Sequence, residues 1–317
     1  MKRINNIYEQ VFSIDNILLA DRIARRGKAK QTGVIEFDKN YDQNIADLYK
    51  ELAGNTYKTS PYRYRVIQER KERQIAILPY RDRIVHHAVM NVLEPVFVSM
   101  FTADTYSCIK GRGVHKASYA LRDALKNVND TTYCLQLDIR KFYPSVDNEI
   151  LKSLLRKKIK DKEMLSLLDG IIDSSEGLPI GNYLSQYLSN FYLTYMDHHI
   201  KEVLGIRYYF RYADDMIILH ADKSYLHYVH QEISSYLSSR LKLSLKPNRG
   251  PFPVSLGIDF GGYEHYHTHT LLRKIIKKAF ARAIKSKKSK ASIASYLGWA
   301  KHCNSKNLIK KLLNEKL

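Results

Sequence analysis

The succession of elements in this chain predicts an α+β fold, with an antiparallel sheet beneath a layer of helices. Two observations carry that expectation. Between residues 132 and 264 the chain reads strand, helix, helix, hairpin, helix, strand. Within that stretch, residues 206–220 (Ile-Arg-Tyr-Tyr-Phe-Arg-Tyr-Ala-Asp-Asp-Met-Ile-Ile-Leu-His) form two aromatic and branched apolar runs interrupted by Asp214 and Asp215. The runs have strand composition and Asp is disfavoured in strands, so the acidic pair marks the turn of a hairpin.

The elements follow in order. Residues 1–56 read as helical and partly polar, with Gly27-Lys28-Ala29-Lys30 as a basic loop. Short strands at 62–67 and 73–78 flank the charged turn Glu69-Arg70-Lys71-Glu72. A helix over 82–99 places Ile84, Val85, Ala88, Val89 and Val92 on one face. Gly111-Arg112-Gly113 precedes a helix near 114–127, and residues 132–139 alternate as a strand ending at Asp138. Asp147 is a candidate N-cap for a helix through 157, and another helix fits 162–173. The turn Gly177-Leu178-Pro179-Ile180-Gly181 opens a long helix to about 202. After the hairpin come a helix over 223–240 and a strand near 253–264. Two basic helices close the chain, at 271–285 and 289–315, the second broken near Asn304.

Composition narrows the function classes. The chain has 317 residues, enough for two or three subdomains, and 44% are hydrophobic, which is globular rather than disordered. Lys and Arg number 52 against 32 acidic residues, a formal charge of +20 that fits a polyanionic partner such as nucleic acid. Three scattered cysteines, Cys108, Cys134 and Cys303, lack CxxC spacing. They argue for buried thiols in a reducing compartment, not for a disulfide framework or a zinc finger. No long apolar run suggests a signal peptide or a membrane span, so no membrane partner is expected. The run Glu264-His265-Tyr266-His267-Thr268-His269 has alternating histidines but no neighbouring Cys, and reads as a polar strand end rather than a zinc site.

The chemistry rests on the carboxylates. Adjacent anions repel unless one is protonated or a cation lies between them. Asp138, at a strand end, can meet Asp214 and Asp215 on the same sheet. Three carboxylates from two strands suit a two-metal site: one metal activates a primer 3′-hydroxyl, the other clamps nucleotide phosphates and the leaving pyrophosphate. Two Mg²⁺ ions are the expected cofactor, with Mn²⁺ as a possible substitute. Taken singly, each Asp is more often a cap or a surface residue; the pair inside an apolar hairpin is not.

These motifs resemble those of reverse transcriptases. Tyr212-Ala213-Asp214-Asp215 is similar to their YxDD box, and residues 137–143 (Leu-Asp-Ile-Arg-Lys-Phe-Tyr) to their first catalytic motif. Residues 177–186 resemble the motif between the two, and residues 81–88 and 106–113 the motifs of the fingers. The resemblance runs from about residue 57 to 300 and implies a right-hand polymerase. Its parts would be an N-terminal extension (1–56), fingers (57–130), a palm of antiparallel sheet plus helices (131–264, with part of the fingers near 150–185) and a small helical thumb (265–317). It implies an RNA-directed DNA polymerase acting on template RNA, a DNA or RNA primer and dNTPs. No RNase H, maturase or endonuclease segment is expected after the thumb.

By the same resemblance Asp138, Asp214 and Asp215 are catalytic and metal-binding, and Ile139 lends a backbone carbonyl to metal. Tyr143 is the gate that an incoming ribose 2′-hydroxyl would strike; core packing is the alternative. Lys71, Arg73, Ile180, Gly181, Gln186 and Lys246 are nucleotide-binding candidates, though Lys71 and Arg73 also fit a solvated turn and Lys246 a surface lysine. Gly262 and Tyr263 resemble the primer grip, where Gly261 departs from the usual pattern. Arg273, Lys274 and Lys277 belong to basic helices over 271–290, suited to a duplex backbone, with a solvated helix face as the alternative. Pro179-Ile180-Gly181 stands where retroviral and group II intron enzymes usually carry Pro-Gln-Gly. The aliphatic residue, with the stretches 81–95 and 296–302, is similar to reverse transcriptases of diversity-generating retroelements. That subtype implies copying of a template-repeat RNA with errors at template adenines, a small basic accessory protein and a cytoplasmic setting in a bacterium, phage or mobile element. Defence-associated or retron-like reverse transcriptases, and a non-catalytic RNA-binding scaffold, are the alternatives.

Overall fold

The computed structural model describes residues 3–68, 72–286 and 288–314. Four helices open the chain: α1 (Tyr8–Phe12), α2 (Ile14–Ala24), α3 (Thr32–Asp38) and α4 (Tyr41–Ala53). Strands β1 (Arg63–Gln68) and β2 (Glu72–Ile77) precede α5 (Tyr80–Met100) and α6 (Val114–Ala124). Strand β3 (Tyr133–Asp138) is followed by α7 (Asn148–Lys158), α8 (Lys162–Ile172) and α9 (Tyr183–His198). Then come β4 (Tyr208–Tyr212), β5 (Asp215–His220), α10 (Lys223–Leu241) and β6 (Phe252–Pro253). Strands β7 (Ile258–Phe260), β8 (Tyr263–His265) and β9 (Thr270–Leu272) lead to α11 (Lys274–Lys285), α12 (Lys290–Ala300) and α13 (Lys306–Asn314). Among the described residues no helix is long and apolar enough to cross a membrane.

The chain divides into two compact units. The first comprises Met1–Phe101, Arg140–Asp197 and Leu237–Leu243. Its spine is α5, whose Ile84, Val85, Ala88, Val89, Leu93 and Phe97 are buried at helical spacing, with α2 packed along it. Buried Asp82 accepts the Tyr57 hydroxyl at 2.6 Å and the Ser60 amide at 3.1 Å, both on Oδ1, which ties residues 57–60 to the start of α5. Asp147 caps α7 by accepting the Ile150 amide at 3.0 Å, as its position before the apolar run predicts. Strands β1 and β2 form an antiparallel ribbon.

The second unit comprises Thr102–Ile139, His198–Tyr236 and Ser244–Leu317. It holds a four-stranded antiparallel sheet in the order β4-β5-β3-β6. Positions 216–219 of β5 are all buried, the mark of a strand covered on both faces. Leu121, Leu125, Cys134, Phe210, Ile217, Leu219, Phe252 and Phe260 form one apolar cluster between α6 and the sheet. A second, three-stranded sheet runs β7-β8-β9.

The mixed helix and antiparallel-sheet architecture matches the expectation from sequence; several boundaries do not. The single strand expected near 253–264 is broken into β6, a 3₁₀ turn at Val254–Leu256, β7 and β8. The break at Gly261-Gly262 is a two-residue hairpin turn with both φ angles positive, +59° and +89°, which favours glycine at both places. The helix expected from 271 begins at Lys274, because residues 270–272 pair with β8 instead. The closing helix is interrupted over 301–305, near the Asn304 expected to break it. The helix from Tyr183 becomes a π-turn at His199–Val203. Of the three thiols only Cys134 is buried; Cys108 and Cys303 are half-exposed, against expectation.

Candidate active site

Register brings the acidic residues together. Asp138, the last residue of β3, lies directly opposite Asp215, the first of β5, and Tyr212 of β4 lies opposite Asp215 on the other side. Only Ala213 and Asp214 therefore remain for the turn. Ala213 has φ +54°, a left-handed conformation that costs a residue with a Cβ about 1–2 kcal/mol. The Ile139 amide donates to the Asp214 carbonyl at 3.4 Å, and fully buried Ile139 bridges to Leu245, so the strand continues past Asp138. The same pairing brings in Lys246: its amide donates to the Asp138 carbonyl at 2.8 Å and its ammonium is ion-paired with Asp138 Oδ1.

The electrostatics follow from this crowding. Burial, the charge of Asp138 and the charge of Asp214 push the Asp215 carboxyl up to about 7, with Lys246 and Arg273 opposing. Burial first, and the Asp138 carboxylate second, raise Asp214 as well. Among the described residues no group of three His, Cys, Asp or Glu side chains forms a metal cage. The donor chemistry nevertheless fits a hard divalent cation, because the Asp138 charge acts on both neighbouring carboxyls and disfavours their ionisation. Mg²⁺ takes one or two carboxylates and completes its shell with water and substrate phosphate, so a full protein cage is not required.

The other sequence-derived candidates fall in both units. In the first unit Tyr143 is half-buried; its hydroxyl accepts from Ser189 Oγ at 3.2 Å and its carbonyl from the Leu178 amide at 2.9 Å. The Ile180 carbonyl accepts the Ala76 amide at 2.8 Å, which ties the turn before α9 to β2 beside Gly181. Gln186 is half-exposed on α9, and Arg73 is exposed on β2 opposite Ile67. Lys71 lies outside the described residues.

In the second unit Gly262 sits beneath the Trp299 ring, where an added Cβ would come within 2.5 Å of it. Tyr263 is fully buried and its hydroxyl donates to the Trp299 carbonyl at 3.0 Å. The ring therefore braces α12 from inside. Arg273 is ion-paired with Asp259, whereas Lys274 and Lys277 are exposed on α11. The three histidines of 265–269 point to separate partners: His265 to the Phe260 carbonyl, His267 to the Thr131 carbonyl, and His269 stacked on Tyr266.

Sequence reasoning missed two features. The Asp138–Lys246 pairing joins residues 108 apart, and no local pattern announces it. Fully buried Arg211 did leave a signal, a lone cation inside an aromatic strand.

Comparison with known proteins agrees with the motifs. The family described as reverse transcriptase (RNA-dependent DNA polymerase) matches residues 58–300. Protein YkfC of Escherichia coli (strain K12) is 27% identical over 275 residues, which are 72% of this chain and 71% of that protein. The group II intron-encoded protein LtrA of Lactococcus lactis subsp. cremoris is 23% identical over 176 residues, covering 51% of this chain and 29% of that protein. The chain thus spans less than a third of LtrA. A telomerase structure from Candida albicans, solved with a fragment of telomeric RNA, superposes with a TM-score of 0.52 at 11% identity, covering 78% of this chain and 55% of that one. At that identity the likeness is one of fold.

Proposed function

The chain belongs to the reverse transcriptase (RNA-dependent DNA polymerase) family, and we propose that it extends a primer along an RNA template with Asp138, Asp214 and Asp215 as the reacting carboxylates. The observation that carries this reading is the register that sets Asp138 against Asp215 and leaves Asp214 in a two-residue turn beside them. In the reaction the primer 3′-hydroxyl gives up its proton to solvent, its oxygen bonds to the nucleotide α-phosphorus, the bond to the bridging oxygen breaks, and pyrophosphate leaves. Bound Mg²⁺ supplies charge neutralisation and activation of the 3′-hydroxyl. The three Asp side chains and the Ile139 carbonyl are the oxygen donors that would hold it. Lys246 fixes the Asp138 carboxylate and balances part of its charge. Tyr143 is the proposed sugar gate, and Arg73, Ile180, Gly181 and Gln186 the residues that meet the nucleotide. Gly262, Lys274 and Lys277 would face the primer–template duplex.

The finer reading is an error-prone enzyme of the diversity-generating type, working with a small basic accessory protein. Its support is Ile180, which offers shape and dispersion where an amide would offer hydrogen bonds. Sites without a polar reader discriminate weakly.

One primed-extension experiment with Mg²⁺, dNTPs and an RNA template tests both levels. Charge stabilisation of several kcal/mol corresponds to about a thousandfold in rate, so Asp138→Asn and the double variant Asp214→Asn, Asp215→Asn should fall at least about that far. Extension that persists in the double variant removes the site. Sequencing the products reads the second level: misincorporation at template adenines should drop in Ile180→Gln. Equal error spectra for Ile180→Gln and the parent would remove Ile180 as the source of infidelity.

A further inference from the structure

No step above uses Arg211, although it is among the largest side chains that the protein buries completely. A guanidinium withdrawn from water is unfavourable unless its N–H groups are satisfied, so such a residue is held in place by its partners. Arg211 Nη1 donates to the Ala213 carbonyl at 3.2 Å, and Nη2 reaches Thr105 Oγ1 at 3.5 Å. Its backbone is clasped by the same segment: the Arg211 amide donates to the Asp104 carbonyl at 2.9 Å, and the Tyr106 amide to the Arg211 carbonyl at 2.9 Å. Strand β4 is an edge strand, and residues 104–106 close that edge. The carbonyl that the guanidinium grips belongs to Ala213, the left-handed residue of the turn. The peptide joining Ala213 to Asp214 is thereby fixed at its oxygen, one bond from the first of the two carboxylate residues.

We propose that Arg211 is a positioning residue that locks the Ala213–Asp214 peptide and so sets the aim of Asp214 and Asp215. The inference rests on the reading of those two residues as reacting carboxylates. The geometry needs a fork: one nitrogen on the turn carbonyl, another on the threonine that belongs to the clasping segment. Lysine carries the charge and three donors on a single nitrogen, without the planar fork that spans the two partners. Methionine keeps the stem volume and neither bond. A misplacement of about 1 Å costs up to about a hundredfold in rate, so the side chain can matter without touching substrate.

The test compares Arg211→Met, Arg211→Lys and Thr105→Val with the parent chain. Primer extension gives kcat and the KM for dNTP, and amide hydrogen exchange is followed across residues 212–216 and across β3. In Arg211→Met, kcat should fall about ten- to a hundredfold with KM changed less than about threefold. Exchange should quicken at 212–216 while β3 stays protected. Arg211→Lys should recover part of both losses. Thr105→Val, which removes no charge and carries the test if Arg211→Met does not fold, should show a smaller change of the same kind. Parental kcat with parental turn protection in these variants overturns the proposal. So does exchange that quickens equally in β3 with kcat per folded molecule unchanged, since that is a purely structural role. Failure of the underlying reading looks different: the double variant Asp214→Asn, Asp215→Asn would remain active, whatever the exchange at the turn.

Discussion

Gly177 stands where an added methyl has no room. Its φ is +63°, and a Cβ would lie 2.8 Å from the carbonyl oxygens of both Tyr143 and Pro144. Those atoms are backbone and cannot swing aside as a side chain would. The next residue, Leu178, donates its amide to the same Tyr143 carbonyl, so the glycine is pressed onto the turn that carries Tyr143. Gly177→Ala should destabilise the protein by about 2–5 kcal/mol: about 1–2 from the left-handed backbone and about 1–3 from overpacking. Urea unfolding reads the loss. A change below about 1 kcal/mol would show that the 143–145 turn moves away freely, and that Tyr143 is less firmly seated than its contacts indicate.

Helix α11 shows what a pattern of residues can and cannot announce. Its buried face, Phe280, Ala283 and Ile284, and its exposed Lys274, Lys277, Lys278 and Arg282 are both legible from the 3.6-residue period. So were α7 with its Asp147 cap and the β4–β5 hairpin, because their signals lie within a few residues. The strand β9 just before α11 was not legible, since Thr270–Leu272 takes its conformation from pairing with β8. Likewise the three Asp residues could be picked out by type, whereas the Lys246 pairing and the Arg211 grip depend on partners about a hundred residues away. The first turn of α11 has no acidic residue and carries Lys274 and Lys277 at the positive end of the helix dipole, where cations are unfavourable. A segment that gives up stability in this way is better explained by an external anion than by its own folding. The triple variant Lys274→Gln, Lys277→Gln, Lys278→Gln should therefore bind an RNA–DNA duplex more weakly while melting no lower than the parent. Each lost phosphate contact removes about 0.9 from the slope of log affinity against log salt, so the slope should flatten by up to about 2.7. An unchanged slope would mean the lysines are a solvated face.

Acid stability involves the whole molecule, because each unit buries a neutral histidine. His86 of α5 is 2% exposed, and burial pushes it down to about 4, with Asp82 pulling it up and His87 pushing it further down. Its Nε2 has no hydrogen-bond partner among the described residues. His265 of β8 is pushed to about 4 by burial, against the Phe260 carbonyl and with help from Arg122. A folded value below the unfolded one, about 6.5, means that the unfolded chain binds more protons between the two. Stability is then complete above about pH 6.5 and declines as pH falls toward 4; between pH 7 and pH 5 each histidine costs about 2 kcal/mol. Asp215 has the opposite sign. Its folded value near 7 lies above the unfolded one, so the folded state gains on acidification over the same window and offsets His265 within the second unit. Among the described residues of the first unit no carboxyl is raised in this way, and Asp147 and Asp161 are lowered, which matters only below about pH 4. The first unit should thus be the acid-labile one. The sole tryptophan, Trp299, lies in the second unit, so its fluorescence and far-UV circular dichroism report different regions. At pH 5 the urea midpoint by circular dichroism should drop more than that by fluorescence. His87 of the same helix is likewise pushed down to about 4, by burial and then by Lys28, so His86→Leu, which removes one of the two titrating groups and an unpaired buried nitrogen, should abolish about half of the drop. If the variant keeps the parental pH slope, the lability lies elsewhere; if the two probes move together, the units unfold as one, and the His86→Leu slope alone decides the origin.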